Sequence, residues 1–442
     1  MAKLSYFAGM ADLAERRAIA RLSHRFGFGP KPGEFKTLVD SGFSNAASKL
    51  LTAPTTDAFA DNQPLPNVKD QGPRPRPNTP QVVAYATEKR AQFTELLFWW
   101  LDRMALSEHP LRERMTWFWH GHWATSYQKV DDALPMFRQN QSLRKHALGN
   151  FTEMSRAMVN DGALIFWLDG QTNTVKAPNE NLSRELMELF VLGVNRYTEN
   201  DVRETAKALT GYRVNKTSGD VTFIPKQHYS MPISFLGTNG VFDGNSLSDY
   251  LVARNDCALF ITERLWYRFI SSSEALSDLN LTKAFANRDI ASLVRAIGTH
   301  SAMRDERYAM VKPPLDWFVS VSRAFGIKPS SFSNTATIRN NLNLLGQVPF
   351  LPPNVGGWPA DQAWLSTASA QFRISFAERL VKEADLSPIA DLPARNRVDA
   401  MLDWLGVPAW STRTALALRG AQRDPARLAL LAICSPEYVV SA

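Results

Sequence analysis

The sequence contains little cysteine and no long apolar run. Of its 442 residues only Cys257 and Cys434 are cysteines, and neither belongs to a CxxC or CxxCH pattern. This excludes a zinc ribbon, a thioredoxin-like redox motif and a c-type haem attachment. No stretch of about 18 apolar residues is present, so the sequence predicts no membrane span. The first thirty residues hold no uninterrupted apolar segment, so no signal segment is predicted in this chain and its default location is cytoplasmic.

The commonest catalytic motifs are also missing. The sequence has no GxSxG, Walker A, GxGxxG, HExxH or EF-hand pattern, which removes the usual nucleophile, nucleotide and calcium explanations. The net charge of +7 favours acidic partners or substrates in general, but the basic residues form no Lys/Arg tract. We therefore expect no nucleic-acid partner, and a substrate that is a small or acidic molecule of unknown identity.

The pattern of apolar residues is mostly helical. Apolar side chains recur at helical spacing from about residue 10 to residue 434, for example in the predicted helices 80–107 and 111–120. Strand composition stands out in 221–224 and 233–236, beside Pro225 and Pro232. The sequence therefore predicts a mostly α, multi-helical globular fold with one small β-hairpin at about 212–237.

Three segments are predicted along the chain. Residues 1–53 form an N-terminal helical segment, and residues 81–442 form the main helical domain with the candidate site. Between them, 54–80 contains seven prolines and few large apolar residues, so we expect a Pro-rich surface connection without regular structure.

One predicted helix, 179–192, concentrates polar residues on one side. Its apolar arc consists of Leu182, Leu186, Met187, Leu189 and Phe190, and its polar stripe of Asn181, Arg184, Glu185 and Glu188. Glu180 at its start is a candidate metal ligand, Asn179 is placed to cap it, and Gly193 can end it at positive φ. The alternative is a solvated face with an ion pair from Arg184 to Glu188.

Two histidines lie in the aromatic segment 117–123. His120 and His122 would point about 200° apart on an unbroken helix, so they can share a metal ion only if the helix ends at Gly121. Neutral imidazoles in an aromatic pocket are good ligands for zinc, iron or copper. The alternative is two hydrogen-bonded core histidines at a helix end.

Two further candidates are weaker when taken alone. His228 lies in the predicted hairpin, where a surface histidine is the usual explanation. In the segment 354–359, the paired Gly356 and Gly357 allow close backbone approach, and Trp358 can form a pocket wall, although a structural turn explains the same residues.

Several of these segments resemble the sequence blocks of the bacterial "domain of unknown function 1800" family. The blocks are 111–122, 179–189, 197–202 with 208–212, and 352–359, with Lys312-Pro313-Pro314 and His228 as further matches. The resemblance runs in the same order from Arg21 to Tyr438 and implies no established activity. It does imply that members are often exported and are commonly encoded beside a phosphatase-like or sulfatase-like protein. By this resemblance, we also expect that the chain can be exported and that such a protein can be its partner.

Together these residues predict a metal-dependent enzyme. His120, His122, His228 and Glu180 would hold a divalent transition metal, while Asn181, Arg184, Glu185 and Glu188 would bind and turn over the substrate. Hydrolysis is favoured slightly over oxidation. The alternative is a non-catalytic helical scaffold, or a binding partner of the phosphatase-like or sulfatase-like protein.

Overall fold

A computed structural model describes residues 2–441 of the chain, with side chains described from residue 12 to residue 440. The N-terminal half consists of helices α1 (Ala2–Gly27), α2 (Glu34–Ser41), α3 (Phe43–Leu50), α4 (Ala58–Asp61), α5 (Pro80–Leu106), α6 (Leu111–His122), α7 (Tyr127–Val130), α8 (Ala133–His146), α9 (Phe151–Val159), α10 (Gly162–Trp167), α11 (Asn181–Glu185), which continues as a π-helix (Leu186–Val191), and α12 (Glu199–Ala208).

The C-terminal half is also helical. It contains α13 (Gly244–Ala253), α14 (Asn255–Phe269), α15 (Ile290–Thr299), α16 (Pro314–Ala324), α17 (Thr335–Leu344), α18 (Thr367–Lys382), α19 (Ser387–Ala390), α20 (Arg397–Leu405), α21 (Thr412–Ala421), α22 (Pro425–Ile433) and α23 (Pro436–Val439). Short 3-10 turns occur at Gly170–Thr172, Pro225–Gln227, Leu279–Phe285, Ser301–Met303, Glu306–Tyr308, Pro329–Ser331, Asp361–Trp364 and Ala394–Asn396. The predicted mostly α class is confirmed.

The strands form small antiparallel pairs. β1 (Tyr212–Val214) pairs with β2 (Val221–Phe223), and β3 (Ile233–Phe235) pairs with β4 (Thr238–Gly240). The two predicted strands therefore exist, but they belong to two successive hairpins and do not pair with each other. A third pair joins β5 (Met310–Val311) to β6 (Val440–Ser441), and so ties the C-terminus to the segment before α16.

Local sequence signals explain where several helices begin. Thr198 and Asp201 form a capping box at the start of α12, in which each side chain accepts the backbone N–H of the other residue. Asp243 caps α13 in the same manner with Ser246. Pro314 occupies the first turn of α16, where its missing N–H has no cost.

Two hydrophobic cores lie on either side of α6. The first contains Trp119 of α6 with side chains from α1 to α3, α9, α14 and α15. The second contains Trp117 of α6 with side chains from α5, α16, α18, α20 and α22. Helix α6 is consequently buried along almost its whole length.

The Pro-rich segment is largely irregular but is attached to the main body. Within it, only the single turn α4 is helical among residues 54–79. Arg103 of α5 donates to the carbonyl of Ala60 at 2.7 Å and to Asp61 at 2.7 Å. The division into three segments stays a prediction. None of the described helices combines the length and apolarity needed to cross a membrane.

Candidate functional site

Helix α6 does not end at Gly121, contrary to the break that a shared metal site would need. It continues through His122, so His120 and His122 project into different cores. The reason is that Gly121 packs against Gly357 inside the protein. A Cβ on Gly357 would lie only 2.3 Å from the carbonyl oxygen of Gly121. The paired glycines 356 and 357 were predicted to allow close backbone approach, and the backbone that Gly357 approaches is that of α6.

His120 lies in the second core among Trp100, Trp117, Phe350 and Trp358. Its Nε2 accepts the backbone N–H of Phe350 at 3.0 Å, which places the ring proton on Nδ1. Burial lowers the pKa of His120 to about 3. The imidazole is therefore neutral at physiological pH and fixes the loop before the segment 352–359.

His122 lies in the first core, and its hydrogen bond explains its place there. Its Nε2–H donates to the carbonyl of Phe190 at 2.8 Å, at the end of the π-helix, where carbonyl groups have no partner within the helix. Burial, followed by the charge of Arg264, lowers the pKa of His122 to about 3. This histidine caps a helix end.

The polar stripe of the 179–192 helix lies at the surface and is internally paired. Arg184 pairs with Glu180 at 3.2 Å and with Glu199 at 2.7 Å, and not with Glu188 as in the alternative predicted above. Glu188 instead accepts a short hydrogen bond from the Tyr197 hydroxyl. Burial, followed by the charge of Glu188, raises the pKa of Glu185.

The predicted caps of this helix are close to those observed. The Asn179 side chain accepts the N–H of Asn181, and the helix ends at Gly193, where φ is +90°. The apolar arc is buried except for Leu189, which is partly exposed. The π-helical turn was not predicted, and such turns are frequent at functional sites.

His228 lies apart from the other two histidines. It is partly exposed, and its Nδ1 lies 3.1 Å from the carbonyl of Thr210. Within the part of the chain that has described side chains, no three His, Cys, Asp or Glu residues are placed to hold a metal ion. The four predicted ligands, His120, His122, His228 and Glu180, therefore do not fit a metal, and we derive no step through one.

A cavity of about 50 Å³ lies between the two cores, beside α6. It is lined by His24 and Arg25 of α1, Arg114, Trp117, Phe118 and Gly121 of α6, Arg268 and Phe269 of α14, the segment 310–313, Asp316 of α16, Gln347, and Trp358, Ala360 and Asp361. One ordered water needs roughly 10–15 Å³. The cavity therefore has room for a few waters or for a carboxylate or phosphate group.

Basic groups outnumber acidic groups in this lining. Four basic side chains line it, namely Arg25, Arg114, Arg268 and Lys312, against the two carboxylates Asp316 and Asp361. His24 adds no charge: burial, followed by the charge of Lys312, lowers its pKa well below the usual value. The lining carries a surplus of one positive charge when the three arginines are protonated and Lys312 is neutral, and of two when Lys312 is protonated as well.

Most of the arginines are held by backbone carbonyl groups. Arg268 donates to the carbonyls of Trp358 at 2.9 Å and Pro359 at 3.2 Å. Arg25 donates to the carbonyls of Phe269 at 3.1 Å and Ile270 at 3.0 Å. These bonds fix the guanidinium groups, and burial lowers the pKa of Arg268 to about 10.

The two carboxylates differ in their surroundings. Asp361 accepts the N–H of Val311 at 2.8 Å and the hydroxyl of Ser272 at 2.9 Å. Asp316 Oδ2 lies 2.6 Å from Arg114 Nη1, an ion pair that lacks the alignment of a hydrogen bond. The other oxygen of Asp316, Oδ1, is buried without a hydrogen-bond partner. One carboxylate is thus occupied by structural donors, and the other has a free acceptor atom.

The sequence prediction missed the charged residues of this cavity. Two of them are single charges in an apolar surrounding, Arg268 in 265–270 and Asp316 in 315–319. A lone charge within an apolar helix is buried only with a partner from elsewhere in the fold. A single charge within an apolar helix therefore indicates a buried polar site, but it does not predict which distant segments supply the partner.

The fold and the cavity define a mostly helical protein with a cationic internal site. The chain matches the family described as "Protein of unknown function (DUF1800)" over residues 21–440, and it belongs to that family. No curated protein and no solved structure matches it. The blocks 111–122, 312–314 and 352–359, on which the resemblance was based, all contribute side chains to the cavity.

Proposed function

We propose that the chain binds a small anionic molecule in this cavity, through a carboxylate or another oxyanion, and that the cavity is its active site. The observation that carries the proposal is the surplus of buried basic side chains, four against two carboxylates. Enzymes acting on small acids place such groups where they orient the substrate and stabilise developing negative charge.

The energetics support an anionic ligand. A buried charge without a counter-charge costs several kcal/mol, and removal of one partner of a buried pair typically costs about 3–5 kcal/mol. Among the residues with described side chains, Lys312 has no carboxylate within ion-pair distance, and Arg268 contacts only neutral carbonyls. An entering oxyanion would supply the missing charge, and arginine presents donors in the geometry that such groups accept.

The earlier hypotheses have less support. A metal-dependent hydrolase or oxidoreductase needs a ligand set that these residues do not assemble. In the scaffold alternative the polar blocks bind a partner protein, but on the helix 179–192 Arg184 is already paired with Glu180 and Glu199. Both stay predictions, whereas the cavity offers unsatisfied charge in a confined space.

Gly121→Ala provides a test that does not depend on removing a charge. The added methyl would lie 3.9 Å from Trp358 and 4.0 Å from Arg268, which is ordinary contact, so it narrows the cavity without a clash. Because alanine is favoured over glycine in helices by about 0.5–1 kcal/mol, the variant should be at least as stable as the parent.

The experiment is a thermal-denaturation series at constant ionic strength with phosphate, acetate, glyoxylate and chloride. We expect at least one oxyanion to raise the melting temperature of the parent protein, since a ligand at about 100 times its Kd stabilises by about 2.7 kcal/mol. Gly121→Ala should lose most of that increment. General salt effects would act on both proteins alike, so equal increments in parent and variant for every anion would refute the proposal. Arg184→Gln, at the surface, is the matched control and should keep the parental response.

A further inference from the structure

Lys312 differs from the other basic residues of the cavity. It lies two residues before α16, and its backbone is fixed on both sides. Its N–H donates to the carbonyl of Val439 at 2.8 Å, and its own carbonyl accepts from Arg373 at 2.8 Å. Its Nζ lies 3.6 Å from the centre of the Tyr438 ring. The side chain is buried and is therefore held in one place at the cavity wall.

We infer that Lys312 is a nucleophilic amine that forms an imine with the carbonyl group of a small 2-oxo acid bound in the cavity. This inference rests on the proposed anion site and adds the substrate class, because the arginines would hold the carboxylate while the lysine meets the adjacent carbonyl carbon. Imine formation with carbonyl substrates is the established chemistry of desolvated lysines in proteins.

The surroundings of Nζ favour the neutral amine that this reaction needs. Burial lowers the pKa of Lys312 well below its usual value; the charge of Asp316 opposes that shift, and the charge of Arg373 adds to it. No carboxylate among the described residues forms an ion pair with Nζ, and the contact that opposes deprotonation is the face of the Tyr438 ring at 3.6 Å. A buried lysine close to other cations is the arrangement that activates an amine.

The Tyr438 ring is itself fixed, which keeps the contact with Lys312 in place. Its hydroxyl lies 2.7 Å from Ser320 Oγ, which lies 3.3 Å from His24 Nδ1. His24 donates from Nε2 to the carbonyl of Leu405 at 3.0 Å. This chain of buried polar groups supports the Tyr438 ring through its hydroxyl, and so fixes the ring position.

Asp316 provides an acceptor for the protons that move. Nζ attacks the carbonyl carbon, a C–N bond forms, and the carbonyl oxygen becomes a hydroxyl group. The C–O bond then breaks, and the oxygen leaves as water with the two hydrogens that the amine has lost. The partnerless Oδ1 of Asp316 lines the same cavity and can take up and return a proton during these steps.

The test is reductive trapping of the full-length protein with glyoxylate or pyruvate and cyanoborohydride, followed by intact-mass measurement and peptide mapping. Each unit by which a lysine pKa is lowered raises its neutral fraction about ten-fold at neutral pH. We therefore expect Lys312 to be labelled at least about ten times faster than any surface lysine. Lactate, which carries a hydroxyl in place of the carbonyl, should slow the labelling and form no adduct itself.

Two variants separate reactivity from folding. Lys312→Met replaces the amine with an apolar chain of similar length and should fold, because it removes a buried polar group and leaves no carboxylate among the described residues without an ion-pair partner. The Lys312→Met protein should lose the dominant adduct. Lys129, a lysine near the surface, is the control site, and the Lys129→Met protein should keep the dominant adduct. Labelling that is spread evenly over lysines, or unchanged in Lys312→Met, would refute the inference.

Failure of the imine and failure of the anion site are distinguishable. If the 2-oxo acids stabilise the protein but no adduct forms, the imine is refuted while the anion site stands. If no oxyanion binds, both proposals fail.

Discussion

The cavity and the helix 179–192 both contain acidic and basic residues, but these residues have different surroundings. On the partly exposed polar stripe of the helix, Arg184 forms ion pairs with both Glu180 and Glu199. In the cavity, Arg268 has no acidic partner within ion-pair distance among the described residues and donates to backbone carbonyls. Paired charges near the surface contribute little to stability, whereas a buried charge without a counter-charge is costly and is stabilised by a ligand of opposite charge. The helix is thus the more conspicuous feature of the sequence, and the cavity is the better candidate site.

The largest loss of stability should come from placing a charge on the buried apolar side of the helix 179–192. Leu186 is fully buried, so Leu186→Asp introduces a carboxylate with no partner and should cost on the order of 3–5 kcal/mol. Glu185→Ala on the polar stripe should change the free energy of unfolding by about 0.5 kcal/mol or less. Denaturant unfolding measures both. Similar losses in the two variants would mean that the stripe is a buried network.

Removal of an acidic residue should matter far more in the cavity than on the helix. Asp316→Ala leaves Arg114 buried without its counter-charge, and we expect a loss of about 3 kcal/mol. Glu199→Ala removes one partner of Arg184 in solvent and should cost less than about 1 kcal/mol. Added phosphate should restore part of the lost stability in Asp316→Ala but none in Glu199→Ala. Equal losses, measured by urea denaturation, would remove the distinction between the two regions.

The buried histidines should make the protein sensitive to acid. The pKa values of His120 and His122 are lowered from 6.5 to about 3, so between these values the unfolded chain takes up protons that the folded chain does not. Their contribution is fully present above about pH 6.5 and is lost as the pH falls toward 3, at about 2 kcal/mol for each histidine by pH 5. Unfolding free energies measured from pH 7 to pH 5 should fall less in His122→Gln. His228→Gln, at a partly exposed site, is the control and should follow the parent protein.

Of the four main variants, Leu186→Asp, Asp316→Ala, His122→Gln and Arg184→Gln, the last should have the smallest effect. Its ion pairs lie in solvent, so the loss should be about 1 kcal/mol or less and should shrink further in high salt, where exposed charges are screened. Melting curves at low and high salt provide the measurement. A loss of several kcal/mol that persists in high salt would show that this cluster has a structural or binding role.

The fold class and many helix ends followed from the sequence because they depend on local patterns. The spacing of apolar residues marked α5 and α6, and Thr198 with Asp201 marked the start of α12. The continuation of α6 past Gly121 did not follow, because it depends on Gly357, more than 200 residues away. The π-helical turn has the same apolar pattern as an α-helix over this length, so the sequence could not distinguish the two.

The sequence identified only part of the candidate site, for the same reason. It identified the blocks 111–122, 312–314 and 352–359, but within them it favoured the histidines over Arg114 and Lys312 as site residues. A histidine pair is conspicuous within one segment, whereas the cavity is assembled from single charges on separate elements. Only the fold brings those charges together.

The most direct test is a crystal structure of the protein soaked in selenate, whose selenium atom can be located by anomalous scattering. The account predicts a strong peak in the cavity within hydrogen-bond distance of Lys312 or Arg268, and its loss in crystals of Gly121→Ala. Peaks confined to surface arginines such as Arg184, or a cavity peak that is unchanged in the variant, would contradict an anion site at this position.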